Sequence, residues 1–553
     1  MLEKIISKIE YALEKLKKPV ICSAFALGIF LCVSNVKANC YDFRDFAILA
    51  KDFMKNASNP AGDIDGDKKV NLEDFAILAK DFLKTGSPLE GDLDGDGIVD
   101  FKDFAIFAYY FIGESPAFLG DLNLDEKVDY NDVEILAHGW LCSNDLAYSL
   151  EPYVMDFNQN TEKIRMKTEV PTLAEVRYGK NLAYENSVVD EDNTPVHEFT
   201  LSNLQPGTRY YYNVVATDGN DGNKTSNFRS SFITSDNSKK SFRFGYFGDS
   251  RGNLCGEVGD GDAGKAAYQS MLRQMKEKGV EFVILGGDGV QANNCTENSE
   301  TYDSAWKNFH DSSFALRGSL SIPYLSALGN HELTSSPAYS PPYYSQIGKD
   351  AFARYWMHPV NGAGKANNWE ETTFSWRYGN TNFIFLNSEE DGNAATMTNE
   401  QLDWFKQKVE VNEPGVDNKF VISHRALVGS IRNASNGYGA LQGLDQNMAA
   451  CLDNLMYNNN ITAGLYSHEH YYNYNTTHDG KMIHIISGGA GAPNRPCSYV
   501  PPLKQFGIGC TSSIFETYCD PCTWHYIIID VDNNSMAGNV YDYLGNEIHN
   551  FKK

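Results

Sequence analysis

The chain has 553 residues, room for several domains that each bury a core. Its formal net charge of −25 excludes a nucleic-acid backbone as the main partner, because the two would repel. Much of the acid is gathered in repeated Asp loops near the N-terminus, where bound cations would neutralise it.

Residues 1–38 read as an export signal. Several lysines precede an apolar run from Pro19 to Val33, and Val36-Lys37-Ala38 ends it with the small residue a signal peptidase requires. Cleavage is expected after Ala38. The apolar run is shorter than the roughly 20 residues that span a bilayer, so no stable membrane span is expected and an uncleaved anchor is the alternative. The expected location is secreted, periplasmic or at the cell surface. Of the 11 cysteines, cleavage would remove Cys22 and Cys32, leaving nine in a compartment where disulfides persist. Cys40 and Cys142 bracket the next region and are natural partners. Cys497, Cys510, Cys519 and Cys522 cluster late, and the pair Cys519 and Cys522 reads as a loop disulfide, with a redox or zinc role as alternatives.

Residues 39–144 contain three acidic loops at a period of 29 residues. Asp63, Asp65, Asp67, Asn71 and Asp74 occupy loop positions one, three, five, nine and twelve. The second loop supplies Asp92, Asp94, Asp96, Asp100 and Asp103, and the third Asp121, Asn123, Asp125, Asp129 and Asp132. Oxygen donors at these spacings turn inward around one hard cation, as in an EF-hand, so Ca²⁺ is the expected ligand. An amphipathic helix such as Phe75–Phe82 follows each loop, and Phe46–Met54 precedes the first. The repeats resemble the dockerin family, all-α calcium modules that bind cohesins. That resemblance implies a cohesin-like protein partner. The pattern departs from the family in having three loops where two are usual, and Lys68 and Glu126 at a position where only Gly97 keeps the preferred glycine.

Residues 145–238 change to short alternating strands: Lys163–Lys167, Ala174–Tyr178, Glu198–Leu201 and Tyr210–Ala216. Leu204-Gln205-Pro206-Gly207-Thr208-Arg209-Tyr210 resembles the turn and strand of fibronectin type III-like domains, which implies an all-β sandwich. The segment has no convergent acids or histidines, so a supporting role is expected.

Residues 239–553 hold the chemistry. Five apolar stretches each run into a polar loop: Phe242–Phe247 into Asp249, Phe282–Leu285 into Asp288, Ile322–Leu328 into Asn330-His331-Glu332, Phe420–Ser423 into His424, and Ile461–Tyr466 into His468-Glu469-His470. Such runs read as buried strands, and Asp, Asn and His are the donors of a hydrolytic metal site. Helices are expected near Ala263–Lys278, Asn399–Val411 and Asp445–Tyr457, which makes the unit a mixed α/β sandwich.

From Ser241 to Lys553 this order of motifs resembles the calcineurin-like metallophosphoesterases, and within them the purple acid phosphatases. The resemblance implies an enzyme that hydrolyses phosphate esters with a hydroxide activated by two metal ions, Fe, Zn or Mn. It implies that Asp288 bridges the ions, with Asp249 and His470 on the first and Asn330, His424 and His468 on the second. It also implies that His331 contacts the phosphate and protonates the leaving group. Two positions depart from the pattern. Gln291 stands where purple acid phosphatases place a metal-binding Tyr, so no purple colour is expected. Arg251 stands where other members place His or Gly; its guanidinium cannot ligate a metal but can grip phosphate. These departures carry the alternative reading, a noncatalytic extracellular scaffold protein. The aromatic and Pro-rich insertion Leu333–Tyr378 is expected to wall the metals.

Overall fold

The structure is a computed structural model that describes residues 146, 148–155, 158–220, 225–292, 299–313, 321–333, 346–363, 370–389, 397–427, 446–493, 515–520 and 523–553. The expected export signal, the three calcium loops with their cohesin-like partner, and the pairing of Cys40 with Cys142 lie outside these residues, as do Cys497, Cys510 and Cys522. Among the described residues no helix is long and apolar enough to cross a membrane.

The first domain is antiparallel. Strands β1 (Tyr148–Met155), β2 (Glu162–Gly179), β3 (Asn186–Leu201), β4 (Arg209–Asp218) and β5 (Thr225–Ile233) form one sheet in the order β1-β2-β4-β5, with β3 on the other side of β2. Two stretches expected as separate strands, Lys163–Lys167 and Ala174–Tyr178, are the two halves of β2. Pro171 sits between them, where the ladder to β3 shifts register between Lys167 and Ala174. A proline has no N–H for a ladder, so the strand survives by bulging there.

The second domain is two sheets face to face with helices outside. Strands β6 (Ser241–Phe247), β7 (Phe282–Leu285) and β8 (Tyr324–Ser326) pair in parallel, and β16 (His525–Asp532), β17 (Ser535–Asp542) and β18 (Glu547–Lys552) extend that sheet antiparallel from β6. The second sheet runs β15-β13-β14-β12-β11-β10-β9, built from β9 (Phe374–Tyr378), β10 (Thr381–Leu386), β11 (Asn418–Ser423), β12 (Ala463–Tyr466), β13 (Tyr472–Thr477), β14 (Met482–Ser487) and β15 (Phe515–Asp520). Its β10, β11, β12 and β14 are mutually parallel.

Alternation explains why the strands read as unbroken apolar runs. Phe282 and Ile284 face the core between the sheets, while Val283 and Leu285 face the outer helices. Phe383 and Phe385 likewise face inward and Ile384 and Leu386 outward. A strand covered on both faces has no polar side to show. Across the middle, Phe244 meets Phe420 edge-on at 5.4 Å and Phe383 at 5.3 Å, a geometry aromatic quadrupoles favour.

Helices α1 (Gly261–Glu277), α2 (Ser299–Ser312) and α3 (Gln346–Trp356) cover the first sheet; α4 (Asn399–Glu410) and α5 (Gln446–Asn458) cover the second. Thr398 caps α4 by accepting from the Gln401 N–H. Helix α3 lies inside the insertion expected as a wall over the metals. Its Phe352, Tyr355 and Trp356 pack instead on Trp306 and Phe309 of α2, and β9 at the end of the insertion is an edge strand. The described part of the insertion is therefore structural layer.

The first domain docks on the same layer. Tyr153 donates to the Tyr355 carbonyl at 3.3 Å, Lys167 meets Asp303 of α2 at 2.9 Å, and the Ser230 and Ser321 hydroxyls lie 2.9 Å apart.

Candidate metal centre

Parallel strands deliver their C-terminal ends to one edge of each sheet, and both sheets present that edge to the same place. Asp249 leaves β6, Asp288 leaves β7, Asn330 follows β8, His424 leaves β11, and His468 and His470 leave β12. Three of these residues turn with left-handed backbone: Asp249 at φ 62°, Asp288 at φ 56° and His468 at φ 68°. Non-glycine residues pay for that conformation and hold it where surroundings compel it, often at functional sites. Hydrogen bonds supply the compulsion here. The Asp249 N–H donates to the Gly287 carbonyl at 3.0 Å, and the His468 N–H donates to Asp249 Oδ2 at 2.8 Å, across the two sheets.

The donors converge. Asp288, His424 and His468 are all buried and place ligating atoms within 4.8 Å of one another. His424 Nε2 lies 3.3 Å from Asp288 Oδ1, 3.1 Å from His468 Nδ1 and 3.2 Å from Asn330 Oδ1. On the other side His470 Nε2 lies 3.4 Å from Asp249 Oδ1. The far ring nitrogens are anchored: His424 Nδ1 donates to the Gly286 carbonyl at 2.8 Å and His470 Nδ1 to the Pro493 carbonyl at 2.7 Å. Such outer bonds aim a ligating nitrogen. The structure thus brings Asp288, His424, His468 and Asn330 together and sets Asp249 against His470, the two groups joined by the His468 N–H bond to Asp249.

Two buried carboxylate oxygens test whether the site suits cations. Asp249 Oδ1 and Asp288 Oδ2 have no hydrogen-bond partner, although both side chains are almost wholly buried. A buried carboxylate oxygen left bare is costly unless a cation meets it. Burial works against charge on Asp288, but His424, His331 and Arg251 outweigh it and hold its carboxyl well below the usual range. Burial also pulls His424 down, and the Asp288 charge reverses this and raises it to about 9. A proton on His424 is doing what a metal would do. The set of N and O donors fits divalent ions.

The catalytic candidates border this cluster. Arg251 Nε is 3.6 Å from Asp288 Oδ2, and the residue is fixed through its own N–H to the Asp288 carbonyl at 3.0 Å. Its loop is closed by a bridge to Val258 and contains Cys255, which is disulfide-bonded. His331 Nε2 is 3.8 Å from Asp288 Oδ2, and its N–H donates to Asp288 Oδ1 at 2.8 Å. Burial pushes His331 down to about 4, Asp288 resisting and Arg251 assisting, so the ring is neutral at pH 7 in this structure. Gln291 is buried beside the site, its carbonyl accepting from the Gly256 N–H at 3.0 Å.

Two acids with evident roles were missed by the motif reading. Glu332 is buried, and its carboxylate accepts from the N–H groups of Asp288 at 3.1 Å, Gly329 at 2.7 Å, Val290 at 3.4 Å and Gly289. It ties the third loop to the second. Glu389 is fully buried after β10 and pairs with Arg425, the residue following His424. Its signal was present: Phe383–Leu386 followed by Asn387-Ser388-Glu389 is a sixth apolar strand ending in donors.

The fold and the convergence of Asp, Asn and His define a metallophosphoesterase-type centre. Residues 242–472, which include every residue of that centre, match the calcineurin-like phosphoesterase family model, and this stretch is a calcineurin-like metallophosphoesterase domain. The purple acid phosphatase PPD1 from yellow lupin (Lupinus luteus) seeds shares the fold at a TM-score of 0.55 with 18% identity, over 75% of this chain and 75% of that one. The structure of PhoD aligns at 0.54 with 10% identity, over 72% of this chain and 92% of that one. No curated protein matches the chain.

Proposed function

We propose that the protein is a metal-dependent phosphoesterase. The observation that carries this is the pair of buried oxygens Asp249 Oδ1 and Asp288 Oδ2, which accept no hydrogen bond, beside a cluster of imidazoles. Asp249, Asp288 and His470 would hold one ion, and Asp288, Asn330, His424 and His468 a second. Two such ions supply polarisation of the phosphoryl group and an acidified water. The chain's own residues do the rest. Arg251 binds phosphoryl oxygens beside Asp288. His331, 3.8 Å from Asp288 Oδ2 at the border of the cluster, is the residue to protonate the leaving oxygen.

The remaining parts of the reading are inferred from sequence. They are export with cleavage after Ala38, Ca²⁺ binding at the three acidic loops, a fibronectin type III-like support domain, and attachment through a cohesin-like partner. The disulfide at Cys255 supports export, since cytosolic thiols are kept reduced. One observation favours a noncatalytic scaffold instead: Arg251 lies against Asp288, leaving the first ion few protein ligands. Both readings face the same experiment. Purified chain loaded in turn with zinc, iron and manganese is expected to bind two ions and to hydrolyse members of a phosphate-ester panel; two bound ions with no turnover on any ester would give the scaffold reading precedence.

A further inference from the structure

A cleft of about 880 Å³ lies between the first domain and α3, β9 and α4 of the second, a size that holds a small ligand. Five cations line it: Lys163 and Arg165 of β2, Arg354 of α3, Arg377 of β9 and Lys408 of α4. Glu198, Glu371 and Glu413 oppose them, so the cleft is cationic in a chain whose net charge is −25. It is also apart from the donor cluster. Arg377 pairs across the β9–β10 ladder with Asn382, near the start of β10, whereas the metal ligands follow the far ends of their strands.

The acids leave much of this charge unmet. Glu198 lies 4.0 Å from Lys163, and Glu413 accepts from the Asn382 amide at 2.9 Å. Arg354 reaches only Asp303, at 3.8 Å, which Lys167 already holds at 2.9 Å. Among the described residues Arg165, Arg377 and Lys408 make no ion pair. The Arg165 guanidinium donates to the Arg354 carbonyl, and Arg377 donates to the carbonyls of Gly379 at 3.2 Å, Pro414 at 3.3 Å, Gly415 at 3.1 Å and Asn237 at 3.5 Å. Carbonyls aim a guanidinium without cancelling its charge. All three cations are half-buried, where a charge is screened less than on open surface. One wall is fixed as well: the Asn361 side chain accepts from the Ser375 N–H at 2.9 Å and donates to the Ser375 carbonyl at 2.8 Å, closing the free edge of β9. Cations aimed in advance lose little freedom when an anion arrives.

We propose that this cleft binds a short acidic oligosaccharide, whose sulfate, phosphate or carboxylate groups meet Arg165, Arg377 and Lys408. Cations supplied by separate elements call for more than one anionic group on the ligand. Beside Arg165 the wall is Gln159, Asn160 and Thr161, amides and a hydroxyl that suit a hydroxylated scaffold rather than an apolar one. The ligand is short because the negative charge of the whole chain repels a long polyanion. The assignment is independent of the phosphoesterase reading.

The test is calorimetric titration of full-length protein with sulfated, phosphorylated and carboxylated oligosaccharides of like length, and with a neutral one. At least one acidic ligand is expected to bind, more weakly as salt is raised, and the neutral one to fail; the three acidic arms identify the anionic group. Arg165→Gln and Lys408→Gln should each weaken that binding about 10-fold, the size of one lost charged contact. Lys406→Gln removes an exposed cation from the same helix outside the cleft and should change nothing. Turnover of a small phosphate ester should be the same in all three variants. Arg377 is left intact because its carbonyl bonds hold the backbone around it. Wild type that binds no acidic oligosaccharide, equal binding of the neutral one, or equal weakening by Lys406→Gln would each overturn the assignment. Should Arg165→Gln lower the melting temperature, Lys408→Gln decides, and unchanged affinity there overturns it too.

Discussion

Asp288 and His331 approach to 3.8 Å, yet they should fail in different ways. In the proposed centre Asp288 holds both ions, so Asp288→Asn should lose metal and activity together, because an amide brings no charge to hold two cations. His331→Ala should keep its metals and lose about 10²- to 10⁴-fold in kcat, the usual contribution of a general acid. That loss should shrink for esters with activated leaving groups such as nitrophenolate, which need no proton. Metal analysis and kcat on paired activated and unactivated esters check both expectations. Equal losses on the two esters would make His331 a phosphate contact rather than an acid.

Among the elements, the strand ends are packed closely enough that single atoms matter. In the structure the left-handed turn falls on His468, and the Ser467 hydroxyl fills space between the sheets, donating to the Ser487 carbonyl at 3.0 Å and lying 3.2 Å from the Tyr246 hydroxyl. A Cβ added at Gly248 would stand 2.0 Å from Ser467 Oγ. Gly248→Ala should therefore destabilise by roughly 1–3 kcal/mol, and adding Ser467→Gly should recover most of it; a double-mutant cycle by urea unfolding measures the coupling. A second device pins β8. His358, buried and stacked 4.3 Å from Phe374, accepts the Ser326 N–H at 3.2 Å and lies with Nδ1 3.2 Å from the Glu371 carbonyl. Burial pushes it down to about 3, opposed by the Glu371 bond. Because the folded value lies below the unfolded one, near 6.5, this stabilisation is complete above pH 6.5 and is lost as pH falls from there toward 3, by up to about 1.4 kcal/mol per pH unit. Urea midpoints at pH 7.5 and 5 should differ more for wild type than for His358→Phe.

For the whole molecule, the first domain rests on α2 and α3, the helices that follow the second and third site loops, through Lys167–Asp303 and Tyr153–Tyr355. It buttresses the layer from which those loops spring. The acidic repeats are expected to fold with calcium, and binding to the native state alone stabilises it in proportion to the logarithm of free ligand. Full-length secreted protein should begin at Asn39, by N-terminal sequencing. Chelation of calcium should lower the melting temperature of one thermal transition while the phosphoesterase transition stays in place. A melting profile indifferent to chelator would remove the calcium assignment.

Local rules determined a great deal here. The apolar run Phe282–Leu285, covered on both faces, and the alternating stretch Phe242–Phe247 have the length and composition of buried strands, and the helices at Gly261, Asn399 and Gln446 carry their own periodicity. The donors at the strand ends were legible for the same reason: polar residues that interrupt such runs need a cause. What the chain order does not encode is which loops meet. Glu332 and Glu389 stand at strand ends in the sequence, and become a loop tie and a guanidinium clamp only when β7, β8, β10 and β11 bring distant backbones together. The space Ser467 fills and the layer α3 joins were likewise decided by packing, since Ser467 meets Tyr246 of another sheet and α3 meets Trp306 and Phe309 of another helix, separations across which sequence patterns carry no distance.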